Sequence, residues 1–267
     1  MPTDTYTHGH HNSVLKSHTW RTVENSAAYL IPYLEPGRSL LDIGCGPGTI
    51  TREFGERLSP GKVLGIDVSH SIVEQATAGT DPQTHANVEF RVDDCYRLNV
   101  EDQSYDIVHA HQVLQHLSDP VAALAEMKRV VKPDGVVAVR DADYHGMFWA
   151  PGSEGLDRWM EVYQAVARRN QAEPDAARHL VAWAREAGFE SITASASTWC
   201  FAAAEDRDWW GGLWAERITR SSLAEQAVGY GLADKDELEQ LAVAWHRWAE
   251  HPDGWFAVVN GELLLRA

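Results

Sequence analysis

Residues 40–49 read LLDIGCGPGT. An apolar run suited to a buried strand enters a loop with glycines at 44, 46 and 48. ITREFGERL at 50–58 then follows a helical pattern. Glycine has no Cβ, so such a loop turns tightly and lets a ligand lie against its backbone. The free N–H groups of the helix that follows point to the same place. This predicts a strand–loop–helix unit that holds a small molecule at the carboxyl end of a strand. The rival is a dinucleotide fold with the fingerprint GxGxxG. Here the third glycine comes one residue early, Asp42 stands two before the first glycine, and no Arg or Lys adjoins the loop to take a pyrophosphate.

Strand and helix go on alternating through the first half. KVLGID (62–67), VEFRVDD (88–94), YDIVHAH (105–111) and GVVAVRDA (135–142) read as further buried strands. SHSIVEQAT and DPVAALAEMKRVV read as helices. The second has Val121, Leu124, Met127, Val130 and Val131 on one face, with Pro133 and Gly135 as its stop. Continuous apolar strands between helices predict an α/β fold with a parallel sheet covered on both faces.

The second half is helical and rich in tryptophan. Of the chain's 11 tryptophans, all but Trp20 lie after residue 145. Leu156, Trp159, Met160 and Tyr163 share one helical face, and PDAARHLVAWAREAG (174–188) reads as a single helix between Pro174 and Gly188. Two more helices carry Trp210, Leu213, Trp214 and Ile218, then Leu238, Leu241, Ala242, Trp245 and Trp248. Asp234 followed by Glu237 marks the start of the last. ITASASTWCF (192–201) and the final WFAVVNGELLLRA read as strands.

The formal charge of −16 repels phosphate backbones and anionic membranes, so neither nucleic acid nor membrane is an expected partner. Three scattered cysteines form no framework, and the amino-terminal stretch does not read as a secretory signal, so a cytoplasmic protein is expected. A metal site is not expected: the histidines of THGHHNSVLKSHTW (7–20) have no nearby acid or cysteine partner.

On these motifs the chain resembles the class I S-adenosylmethionine-dependent methyltransferases, in the branch that contains the quinone-biosynthesis C-methyltransferases and many small-molecule methyltransferases. The resemblance covers roughly residues 38–142. It implies a Rossmann-like, seven-stranded, mostly parallel sheet with an antiparallel last strand, and S-adenosyl-L-methionine as cofactor. It also implies roles for particular residues. Asp42, Gly44, Gly46 and Gly48 would form the first motif. Asp67, followed by Val68, would accept from the ribose hydroxyls. Asp94 would take the adenine amino group, with Asp93 as the competing carboxylate, and Cys95 would lend its backbone N–H. Backbone near His111 would face the methionine end.

The expected organisation is one domain over 1–267. It has N-terminal lid helices over 1–35, a cofactor core over 36–144, helical caps over 145–170 and 202–253, and the end of the sheet over 174–201 and 254–267. In the lid, Trp20, Val23, Ala27, Leu30 and Ile31 mark an apolar helix face, and Tyr6, His10 or His11 would reach cofactor or acceptor. Methyl transfer from a sulfonium is an in-line displacement, and a phenol or carbon acceptor needs a base. His116, His145 and His11 are the catalytic candidates, together with His111, and Tyr144 and Asp141 are lesser ones. Tyr144 and Trp149 are the candidate substrate contacts, Trp149 for its closeness to the crevice in sequence. Arg140 and Asp141 could instead form a buried ion pair. The expected activity is methyl transfer to a small aromatic or amphipathic acceptor by a monomer or homodimer. The alternatives are a quinone-ring C-methyltransferase, or a protein that binds S-adenosylmethionine without transferring its methyl group.

Overall fold

The structure is a computed structural model that describes residues 4, 7 and 12–266 of the chain. Tyr6, His10 and His11 lie outside the described residues. Seven strands form one sheet in the order β3-β2-β1-β4-β5-β7-β6. Strands β1 (Leu40–Ile43), β2 (Val63–Asp67), β3 (Val88–Val92), β4 (Tyr105–His111) and β5 (Val131–Ala150) run parallel. Strand β7 (Trp255–Arg266) lies antiparallel between β5 and β6 (Ser191–Phe201). The expected sheet, with its antiparallel last strand, is the observed one.

Helices α1 (Asn12–Thr19) and α2 (Val23–Ser26) precede the sheet. Helices α3 (Thr49–Leu58), α4 (His70–Ala78), α5 (Pro120–Val130), α6 (Glu154–Arg169) and α7 (Leu180–Glu186) connect its strands. Leu40, Phe54, Val63 and Ile107 are buried in one of two clusters built on the β1–β5 sheet, and Leu41, Ile43, Val108 and Met127 in the other. Helices α8 (Ala204–Arg220), α9 (Ser222–Gly229) and α10 (Lys235–Glu250) fill the connection from β6 to β7. With α6 they enclose an aromatic core. Trp159 sits 4.5 Å from Trp214 and 4.8 Å from Trp245 in edge-on geometry, the arrangement that aromatic quadrupoles favour. Asp234 starts α10 as its spacing predicts, its Oδ1 accepting from Glu237 N at 2.8 Å. Glu237 does not complete a reciprocal cap, because its carboxylate takes Arg158 from α6.

Three expectations change. The apolar face over residues 20–31 is not one helix. A Thr22–Asn25 capping box starts α2, Ala27 at φ −139° ends it, and a 3-10 turn over Ala28–Tyr33 contains Pro32. Val23, Ala27 and Leu30 are buried, but Ile31 is 37% exposed. Residues 174–188 divide into a 3-10 turn (Ala176–Arg178) and α7. There the Asp175 carboxylate takes His145 N, Gln164 and Arg168, which fixes the start of the segment to its neighbours. Residues 145–150 belong to the sheet and not to a cap, pairing as Phe148 with Ala257 and Ala150 with Trp255.

That last pairing has a register shift. Between Asp143 (opposite Val259) and Phe148 (opposite Ala257), β5 spends more residues than β7, so a bulge over 144–147 re-aims the side chains.

Candidate active site

A cavity of about 580 Å³ lies at the carboxyl ends of β1, β2 and β4. Gly44, Gly46 and Gly48 line or border it with left-handed φ of +66°, +54° and +77°. A Cβ on Gly48 would meet Phe90 Cζ at 2.5 Å, so that glycine serves loop packing. Among the described residues, a Cβ on Gly46 would have one neighbour within 4 Å, His18 Nδ1 at 3.6 Å. The space beside Gly46 is the cradle that a ligand against the backbone requires. Arg52, four residues past Gly48, folds back to donate to Pro47 O at 3.0 Å, so a cation does adjoin the loop, bound to its backbone.

The acids around the loop divide by role. Asp42 is buried, with one oxygen accepting from Thr51 Oγ1 and the other 2.7 Å from His109 Nδ1. It braces the loop from beneath. Asp67 ends β2 and accepts from Gly46 N at 3.3 Å and Ser69 N at 3.0 Å, holding its carboxylate at the cavity edge beside Val68. Asp93 is taken up by the N–H groups of Asp94 and Asn99 and by Arg91. The Asp94 carboxylate accepts from Tyr96 N alone among the hydrogen bonds of described residues. Cys95 lies beside it in the cavity wall. Burial pushes the Cys95 thiol up to about 12, with Asp94 adding to the effect, and pushes Cys45 higher still. Neither is a nucleophile at neutral pH.

Past the loop the cavity continues between α1, the end of β4, the β5 bulge and α8. Its walls there include His18, Trp20, Arg21, Tyr144, Trp199 and Trp214. Gln112, at φ +53°, follows β4 directly; its Oε1 accepts from Arg21 at 2.6 Å and its Nε2 donates to Asn260.

A loop of this geometry, with acids at the ends of the two neighbouring strands, is what S-adenosylmethionine needs. The family model for a methyltransferase domain matches residues 34–211. The chain belongs to that family. It is an S-adenosylmethionine-dependent methyltransferase. An uncharacterized methyltransferase of Schizosaccharomyces pombe is 35% identical to it, over 99% of this chain and 98% of the relative. Among solved structures, a putative sarcosine dimethylglycine methyltransferase of Galdieria sulphuraria matches with a TM-score of 0.56 at 15% identity, over 95% of this chain and 86% of that one. A Haemonchus contortus phosphoethanolamine N-methyltransferase, solved with phosphomonomethylethanolamine and S-adenosylhomocysteine, matches with a TM-score of 0.55 at 17% identity. The match covers 90% of this chain and 52% of that one, so the methyltransferase spans about half its length.

The catalytic candidates do not converge in this methyltransferase. His145 falls on the outer side of the β5 bulge, 72% exposed and 3.9 Å from Asp175, away from the cavity wall. His11 lies outside the described residues. His116 does line the cavity, but burial, with Arg21 adding to it, holds its imidazole at about 3. A base that weak scarcely takes a proton at neutral pH. His111 lines the cavity. Burial, then Arg21 and Arg140, holds it well below the usual histidine range. Neither of its ring nitrogens has a hydrogen-bond partner among the described residues.

The folded-state value of His116 lies below its unfolded value, so its burial costs nothing above about pH 6.5. The cost appears as pH falls toward 3, where the unfolded chain takes a proton that the folded one refuses. His116→Asn is therefore expected to flatten the loss of stability between pH 6.5 and 4, read by urea unfolding. Equal slopes for variant and wild type would remove burial as the cause.

Of the substrate candidates, Tyr144 points inward at the bulge and lines the cavity, stacked at 4.0 Å on Tyr163. Trp149 does not reach it. Its ring stacks on Phe256 at 5.7 Å, against the aromatic core. Asp141 is fully buried, its Oδ1 accepting from Gln115 N; it fixes the turn after β4 and does not face the cavity. Nor does it pair with Arg140, whose partner is Glu262 of β7 at 3.2 Å. Arg21, Arg217, His18 and Gln112 carry no fold-independent motif and were not singled out from sequence. The signal for Arg217 was its helical spacing from Trp210 and Trp214, which puts all three on one face of α8. Among the described residues no group of His, Cys, Asp or Glu could hold a metal ion, and no helix is long and apolar enough to cross a membrane.

Proposed function

We propose that the chain transfers the S-adenosylmethionine methyl group to a small aromatic or amphipathic molecule held in the far half of the cavity. The observation that supports this reading is continuity. One cavity runs from the glycine loop to Tyr144, Met147, Trp199, Trp210, Trp214 and Val258. Flat apolar walls next to a cofactor cradle suit an aromatic body.

In this reading Asp67 holds the ribose and Asp94 the adenine amino group, with the Cys95 N–H on the ring. Asp94 is preferred over Asp93, whose oxygens build the turn. Bound S-adenosylmethionine would supply an electrophilic methyl carbon, with its sulfonium sulfur as the leaving group toward the acceptor's lone pair. The chain's part is to align and to exclude water. His111, held neutral, orients the reactants and does not store a proton. Helices α6 and α8–α10 act as the acceptor cap, and the N-terminal stretch ending at Arg21 as its lid. Asp4 supports that lid, since it accepts from Tyr96 Oη and Ser118 N beside the cavity.

Incubation with S-adenosylmethionine and a pool of small aromatic acceptors should release S-adenosylhomocysteine. Trp210→Ala should lower that turnover about tenfold or more, by removing cavity wall, while cofactor affinity holds. Tight cofactor binding without methyl release to any acceptor would favour a non-transferring binding protein.

A further inference from the structure

Strand β6 is an outer edge of the sheet. It has 11 residues, SITASASTWCF, and pairs with β7 from Ser191 opposite Arg266 to Phe201 opposite Phe256 without a register shift. Away from β7, its backbone makes no hydrogen bond among the described residues. Thr193–Ala196 are all exposed, so both faces of the strand are open at its middle.

The opposite edge is protected in the usual way. Strand β3 has 5 residues and carries Glu89 and Arg91. Short length and charged side chains keep an edge from pairing with another chain. Strand β6 has neither device, nor a proline or a bulge. In a chain of formal charge −16, it is a long uncharged edge, and the nearest charges in sequence, Glu190 and Glu205, lie beyond its ends. Beside its carboxyl end stands an apolar patch. Phe148 and Cys200 both face Ala257, which puts them on one face of the sheet. Phe148 and Trp255 are 45% and 46% exposed, with their rings edge-on at 5.2 Å, and Trp255 Nε1 reaches Cys200 Sγ.

A second copy of the chain suits such an edge. Antiparallel pairing of β6 with itself sets uncharged residues opposite uncharged ones, and so avoids the repulsion that an acidic protein meets elsewhere on its surface. The small side chains of Ala194, Ser195 and Ala196 let the two strands approach. A two-fold contact uses the same strand on both copies and closes, and the edges left over are the short, charged β3 strands, so assembly stops at two.

We infer that the protein forms a two-fold dimer by antiparallel β6–β6 pairing about Thr193–Ala196, one sheet running through both copies and the Phe148–Trp255 patches flanking the contact. The strand that leads into the glycine loop, β1, stands beyond β4, β5 and β7, so the cofactor cradle takes no part.

Sedimentation velocity of the full chain at micromolar concentration should give the mass of two chains. Ala194→Lys combined with Ala196→Lys brings like charges together from both copies. It should weaken the dimer about a hundredfold or more and leave S-adenosylhomocysteine affinity unchanged. Amide hydrogen exchange gives a second reading on the wild type alone, and decides the matter where the double variant does not fold. The β6 amides that face away from β7 should be protected in the dimer and lose that protection on dilution. A monomeric wild type overturns the inference and leaves the edge to a strand of another protein. A dimer that survives the two lysines, or one whose outward β6 amides exchange freely, is built on a different surface and overturns it too. Growth beyond two copies contradicts the closed two-fold contact.

Discussion

Gly46→Val is expected to weaken S-adenosylmethionine binding by roughly a hundredfold, about 2.7 kcal/mol, while the chain stays folded. Among the described residues the Cβ direction at Gly46 is open, with His18 Nδ1 at 3.6 Å as its one neighbour within 4 Å. A branched side chain there stands in the cavity and not in the protein's packing. Its left-handed φ of +54° adds strain on the order of 1–3 kcal/mol, which a domain of this size tolerates. Gly48→Val supplies the contrast. Its Cβ would meet the Phe90 ring at 2.5 and 2.7 Å, so loss of binding there comes with loss of stability. Calorimetry with S-adenosylhomocysteine and thermal melting read the two effects separately. Unchanged affinity in a folded Gly46→Val protein would take the cofactor away from the glycine loop.

Glu262→Ala should cost about 3–5 kcal/mol of folding stability, the penalty for stranding a buried charge. Arg140 is 1% exposed, and its Nε donates to Glu262 Oε1 at 3.2 Å and to Ser197 Oγ at 3.2 Å. Ser195 and Ser197 also donate to the Glu262 carboxylate. The guanidinium lies 4.7 Å over the Trp199 ring. One carboxylate therefore joins β5, β6 and β7 at the place where the sheet turns antiparallel. Without it, burial works against the Arg140 charge with Ser197, the Trp199 ring and the weaker influence of Tyr29 and Asp141 left to offset it. Urea unfolding measures the loss. A change below about 1 kcal/mol would mean that solvent reaches Arg140 and that the pair is not a structural clamp.

The two cases differ in what could be foreseen. Gly46 stands in a motif whose meaning is local: strand, glycine loop and helix lie within twenty residues, and their conformation follows from missing Cβ atoms and free N–H groups. Glu262 sits in NGELLLRA, where alternation predicts a strand but nothing names its partner. The sequence offers Arg140 its neighbour Asp141 as one possible ion-pair partner. Adjacent strand residues point to opposite faces, so the pairing had to come from another strand, 122 residues away.

The same distinction separates the candidate residues. In sequence His145 and Trp149 stand close to the fifth strand. A bulge decides their direction, sending Tyr144 and Met147 to the cavity and His145 to solvent. A bulge is set by how β5 pairs with β7, which no window of β5 contains.

By itself the sequence determined the parallel α/β core, the glycine cradle, the acids that end β2 and β3, and the start of α10 at Asp234. Each follows from periodicity, capping or glycine geometry acting over a few residues. Only the tertiary structure decided that the cavity environment holds the His116 imidazole far below its usual range, that Trp149 packs against the aromatic core, that Glu262 answers Arg140, and that Arg217 reaches Ser17 of α1. Burial, charge balance and direction depend on what packs against a residue. For these residues the neighbours come from strands and helices up to 200 positions away.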